Sequence, residues 1–175
     1  HLKLIMIKYT LALLLSFFLI SASYAEDVYL SPEDFLKQTF AGDVPKKKLF
    51  FINDSNSEDV ERILEDTYHM PYIKYWRKDN KIAFILEQIG KHEFITTGFV
   101  VQDNKIFDAK VLIYREKYGW EIKYESFLRQ VRNNSITSSG KLQSPIGNIS
   151  GATLSVNAMK RLTKFSIFLY SSIMK

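Results

Sequence analysis

Two Asp-Asn pairs, Asp79-Asn80 and Asp103-Asn104, constrain this chain more than any other feature. They separate segments rich in β-branched and aromatic residues: Tyr72 to Arg77, Lys81 to Gln88, Glu93 to Gln102 and Lys105 to Tyr114. Asn and Asp tolerate the positive φ that two-residue hairpin turns demand. Parallel neighbours would need crossover connections of a dozen residues or more, so four strands joined this closely form an antiparallel meander. With helical patterns on either side, the chain is expected to be α+β, an antiparallel sheet of about four to six strands packed with helices.

The flanks supply those helices. Ser31-Pro32-Glu33-Asp34 combines a capping serine, a first-turn proline and acids at the positive helix end, predicting a short helix through Phe40 that Gly42 ends. Leu49-Phe50-Phe51-Ile52 reads as a strand. Ser57 is expected to cap a helix from Glu58 to about Tyr68, with Val60, Ile63 and Leu64 on one face and Pro71 closing it. Ser126 to Asn133 reads as a short helix with Phe127, Leu128 and Val131 inward, and Asn133 to Ile149 as a long loop. The last helix runs from about Gly151 to Ser172, with Leu154, Ala158, Leu162, Phe165 and Leu169 as its buried stripe. Lys160, Arg161 and Lys164 break its apolar run, leaving too little to span a bilayer.

Residues 1–25 read as an address. Lys8 precedes the apolar run Leu11 to Ile20, and Ser21-Ala22-Ser23-Tyr24-Ala25 has the small-residue exit of a cleavable signal peptide. Met6 is the expected start, with residues 1–5 upstream of it. Cleavage after Ala25 leaves residues 26–175 as one domain in the periplasm, free or associated with the membrane through a partner.

Several classes of chemistry are excluded. Without cysteine there is no disulfide, no iron–sulfur ligation, no covalent haem site and no thiol nucleophile. A net charge of +5, with Lys46-Lys47-Lys48 as the longest basic run, is too mild and too dispersed for nucleic-acid binding. His69 and His92 lack partners at metal-ligand spacing, and the acids from Glu58 to Asp66 read as a solvated helix face. No hydrolase elbow or phosphate-binding glycine loop occurs.

One string remains: Asn148-Ile149-Ser150-Gly151-Ala152-Thr153-Leu154-Ser155, at the start of the last helix. A helix N-terminus offers unpaired N–H groups and the positive end of the macrodipole, a combination that favours phosphate. The threonine hydroxyl would stand beside those groups. The string resembles the signature of the FMN-binding domain family, which carries FMN as a phosphoester on the final threonine of Ser/Thr-Gly/Ser-Ala-Thr. Further likenesses lie upstream, in the expected order: Gly98-Phe99-Val100-Val101 with Lys105 to Val111, Arg115 to Ile122, and Phe127-Leu128-Arg129-Gln130. They extend from about Phe94 to the C-terminus.

The resemblance implies that Thr153 holds FMN, with Ser150, Gly151 and Ala152 shaping the turn and Leu154 and Ser155 offering backbone N–H groups. It implies a separate flavin transferase that takes FMN from FAD, with magnesium. The loop Glu116 to Trp120 is then the natural tuner of the flavin: Glu116 toward the ring or ribityl hydroxyls, Gly119 permitting close approach, Trp120 stacking and Tyr118 at the rim. Known members include the C subunit of the sodium-pumping NADH:quinone oxidoreductase and the G subunit of the Rnf complex. Those subunits keep an N-terminal anchor, so this chain is expected to be a free relative, an electron carrier more than a stand-alone enzyme. Its expected partners are a membrane or periplasmic cytochrome or reductase. The chain departs from the family pattern at Asn148, where the family often has Asp, and at Lys117-Tyr118, where it often has Thr-Pro. Those departures motivate a second reading, a flavin-free periplasmic binding or accessory protein that keeps the fold. A third is a flavin-dependent reductase with its own substrate.

Overall fold

The Asp-Asn turns close as two-residue hairpins, with Lys78 paired to Lys81 and Gln102 to Lys105. Asp79, Asp103 and Asn104 take the positive φ expected of them, at 54°, 53° and 58°. The computed structural model describes residues 26–175, and the signal peptide expected over residues 1–25 lies outside the described residues.

The elements are β1 (Asp27–Val28), α1 (Pro32–Thr39), β2 (Lys47–Phe51), α2 (Ser57–Leu64), β3 (Tyr72–Lys78), β4 (Lys81–Ile89), β5 (Phe94–Gln102) and β6 (Lys105–Tyr114). A 3-10 turn (Trp120–Lys123), α3 (Glu125–Val131) and α4 (Thr153–Met174) follow. All strand pairs are antiparallel, in the order β1-β6-β5-β4-β3-β2. The protein is therefore α+β, with a six-stranded antiparallel sheet and a C-terminal helix opening at the Ser-Gly-Ala-Thr string.

Alternation divides the sheet's side chains between two cores. On one face Ile82, Phe84 and Leu86 pack with Val60, Ile63 and Leu64 of α2 and with Ala158, Leu162, Phe165 and Leu169 of α4. On the other, Ala83, Val100 and Leu112 are covered by Phe35, Leu36 and Phe40 at α1. Burying a Leu, Ile or Phe side chain stabilises by about 1.5–3 kcal/mol, so α4 is held by its stripe rather than by helix propensity. Its far end is pinned by Tyr170, whose hydroxyl donates to the Asn80 carbonyl at 2.8 Å and accepts from the Asp103 N–H at 3.0 Å. That fixes the N-terminus of α4 at the opposite end of the sheet, where β6 finishes at Tyr114.

Several boundaries differ from the sequence expectation. α2 stops at Leu64 because Glu65 turns left-handed (φ 55°), and Tyr68 folds inward so that its ring lies 5.6 Å from Phe165. Asn56, not Ser57, occupies the cap position of α2. Its amide is spent on the preceding turn, accepting from Asn53 N and donating to the Phe51 carbonyl. β1 has too few residues to show alternation, and the 3-10 turn begins at Trp120 within the segment read as loop. Leu154 is not part of the buried stripe: it is 47% exposed, because the first turn of α4 projects beyond the sheet.

Candidate functional site

Three separate segments converge at the N-terminus of α4. They are residues 91–93 between β4 and β5, residues 115–121 after β6, and residues 151–155. Between them lies a cleft of about 860 Å³. Every residue of the Gly151 to Ser155 string lines it, as do Glu116, Tyr118, Gly119 and Trp120. Ser150 stands just outside, exposed in the turn before Gly151.

The turn at the helix start follows from its residues. Gly151 has φ +81°, a left-handed value that costs an L side chain about 1–2 kcal/mol and glycine little. Ala152, at the cap position, is buried, while Thr153 and Leu154 are exposed. Among the described residues no side chain caps α4, and its first turn carries no acid. Among the described residues, the N–H groups of Thr153, Leu154 and Ser155 have no partner. Asn148 reaches back over the turn, and its Nδ2 donates to the Thr153 Oγ1 at 2.9 Å.

Ser155 points the other way, into the protein. Its hydroxyl lies 2.8 Å from the Tyr114 hydroxyl, which donates to the Tyr118 carbonyl at 2.5 Å. Burial pushes the Tyr114 phenol up to about 12, with nearby Glu116 and Glu121 adding to the shift and the Ser155 bond opposing it. This chain of hydroxyls ties α4 to the segment after β6. Gly119 makes the approach possible: a Cβ there would sit 2.4 Å from Ser155 Oγ and 2.9 Å from the Tyr114 oxygen. The close approach expected of Gly119 is thus toward the protein's own helix.

Glu116 lines the cleft, yet its Oε1 is committed to the 91–93 turn. It accepts from the backbone N–H of Lys91, His92 (2.6 Å) and Glu93 (3.0 Å). Burial pushes this carboxyl up, but the three N–H groups and nearby His92 outweigh it and hold Glu116 below the usual carboxylate range. Its role is to fix the wall of the cleft. Trp120, at 39% exposure, and Tyr118, at 65%, stand at the mouth as aromatic surfaces.

Three features of the site were not visible in sequence. The 91–93 turn carries no motif, Tyr114 is one more aromatic in an alternating strand, and Glu121 lies within the Arg115 to Ile122 likeness, which gives it no role of its own. Glu121 Oε2 is buried without a hydrogen-bond partner among the described residues, an acceptor left open beside the cleft. An N–H or O–H from a ligand would satisfy it.

No protein-family model matches this chain, and neither a curated protein nor a solved structure matches it.

Proposed function

We propose that the chain is a flavin-carrying electron-transfer protein, with FMN esterified through its phosphate to Thr153. The observation that carries this reading is the uncapped first turn of α4. Three free N–H groups surround an exposed threonine hydroxyl and open onto a cleft large enough for a flavin-sized ligand. The residues present fit the group. The turn supplies N–H donors and no competing carboxylate, Glu121 supplies an acceptor, and Trp120 and Tyr118 supply flat apolar surface. Bound FMN supplies one- and two-electron chemistry.

The chain's own residues bind and orient. The N–H groups of Thr153, Leu154 and Ser155 stabilise the phosphate, together with the helix dipole. The Tyr114–Ser155 link and the grip of Glu116 on the 91–93 turn hold the walls at fixed separation. On this reading a flavin transferase joins the Thr153 oxygen to the FMN phosphorus of FAD, with AMP as leaving group and the hydroxyl proton passing to a base. The electron donor and acceptor are a membrane-bound and a periplasmic redox protein.

A second reading rests on the Asn148–Thr153 bond. There an amide proton covers the hydroxyl that a carboxylate would otherwise activate, and the chain is a flavin-free binding or accessory protein. One experiment separates the two. The chain is co-expressed with a flavin transferase and its intact mass and in-gel fluorescence are recorded, with Thr153→Ala alongside. A gain of one FMN less one water, located on the Thr153 peptide and absent from the variant, supports the flavoprotein. An unmodified mass and a dark band support the second reading.

A further inference from the structure

β3 and β4 separate halfway along their length. Their ladder ends at Tyr75 and Phe84, although β3 begins at Tyr72 and β4 continues to Ile89. Lys78 and Lys81 close the two-residue turn, so every second residue from there directs its N–H and C=O into the space between the strands. Trp76 and Ala83 meet across it. Tyr72 and Lys74 on one side, and Ile85 and Glu87 on the other, have no backbone partner there among the described residues. The result is a wedge in the sheet, with two unsatisfied strand edges facing each other.

The wedge opens a second cleft of about 760 Å³, apart from the one at α4. Tyr68, Met70, Trp76, Ile85, Ile89 and Phe94 line it. Met70, Ile89 and Phe94 are exposed at 53%, 42% and 47%, which is apolar surface without a cover among the described residues. The charges at its walls are unequally committed. Glu87 accepts from Thr96 Oγ1 at 2.7 Å, and Asp66 accepts from the Gln88 amide at 2.9 Å. Lys47 and Lys74 form no ion pair among the described residues.

We propose that this wedge is a docking site for an extended polypeptide segment of a partner protein, added as a strand along β4. The backbone edge selects the occupant. Donors and acceptors at strand spacing are met by another strand, and not by a lipid tail or a flat aromatic ligand. Alternate side chains of the segment would face Tyr68 on one side of the sheet and Trp76 on the other. The uncommitted lysines call for an acidic residue at the same segment's outer end.

The test pans short random displayed peptides against the full chain, then follows amide exchange with a selected synthetic peptide. The expected peptides alternate apolar residues with an acidic flank, and they slow exchange at Ile85 and Glu87 by about tenfold or more. Methylating the peptide's bonding-edge nitrogens abolishes binding. Glu87→Pro removes an N–H that β5 does not use, so the β4–β5 ladder survives while peptide affinity falls at least about tenfold. Lys74→Glu weakens the acidic peptide and gives a second arm should the proline variant fail to fold. The proposal is overturned if no peptide is selected, if the β4 amides are unchanged on binding, or if the N-methylated peptide binds equally well. Adsorption to phosphatidylglycerol vesicles with no peptide selected would assign the face to lipid and also overturn it.

Discussion

The side-chain amide of Asn148 donates to the Thr153 hydroxyl across 2.9 Å, over the turn that opens α4. An amide proton occupies the oxygen's lone pair and leaves the hydroxyl's own proton unclaimed. A carboxylate at the same position would accept that proton and serve as a base for phosphoryl transfer. General-base assistance is worth about 10²-fold or more. Asn148→Asp is therefore expected to raise the fraction of chain esterified by a flavin transferase in a timed co-expression, read by intact mass. Equal fractions in the two proteins would show that the hydroxyl needs no help from this position.

Gly119 is the point where the segment after β6 crosses α4, and its substitution has two separable costs. Its φ of +90° is left-handed, which costs alanine about 1–2 kcal/mol. The added methyl would lie 2.4 Å from Ser155 Oγ, and overpacking of this kind costs about 1–3 kcal/mol. Gly119→Ala should lose roughly 2–5 kcal/mol in urea unfolding. Adding Ser155→Gly should recover only the Ser155 share of the packing part, since the methyl still lies 2.9 Å from the Tyr114 oxygen, and leave the φ part.

The sequence exposed some of this and hid the rest for physical reasons. The meander is visible because hairpin turns are local and each strand carries its own alternation. α4 is visible as a long apolar stripe, and its threonine as part of a string. The placement of Leu154 is not, since a stripe at helical spacing does not reveal where the helix leaves the sheet. The end of α2 was missed because Tyr68 is drawn inward by Phe165, which is remote in sequence. Glu116 carries a residue type suited to a ligand, yet three backbone N–H groups claim one of its oxygens. The wedge between β3 and β4 leaves no trace in either strand's pattern, because each remains a good strand where its partner has gone.

A buried tyrosine, Tyr114, and a half-buried one, Tyr68, should make the protein sensitive to alkali. Burial pushes both Tyr68 and Tyr114 up to about 12, with Glu87 assisting at Tyr68. An unfolded tyrosine ionises near 10, so between pH of about 10 and 12 the unfolded chain has released protons that the folded chain retains. Stability from these groups is complete below about 10 and falls as pH rises through that window. Tyr114→Phe should flatten the fall in denaturant midpoint there. At neutral pH the same change leaves the Tyr118 carbonyl and Ser155 without their partner, costing about 1–3 kcal/mol. An unchanged alkaline limb in the variant would assign the sensitivity elsewhere.

Glu116 works at the opposite end of the scale. Its carboxyl is pushed up by burial and held down, on balance, by the three N–H groups of the 91–93 turn and by His92. A depressed carboxyl contributes stability that is present above its ordinary value of 4.5 and disappears as pH falls through the folded value. Glu116→Gln keeps an acceptor of the same shape and removes the charge, so the acid limb below about 4.5 should flatten. At neutral pH the loss should be about 1 kcal/mol, because the site is partly open to solvent. Amide exchange at His92 and Glu93 is the sharper measurement: the turn should open faster in the variant at pH 7 while β5 keeps its protection. Since that turn forms one wall of the cleft at Thr153, on the proposed flavin reading weaker noncovalent FMN retention should accompany the faster exchange. Faster exchange with undiminished retention would remove the 91–93 turn from the proposed flavin site.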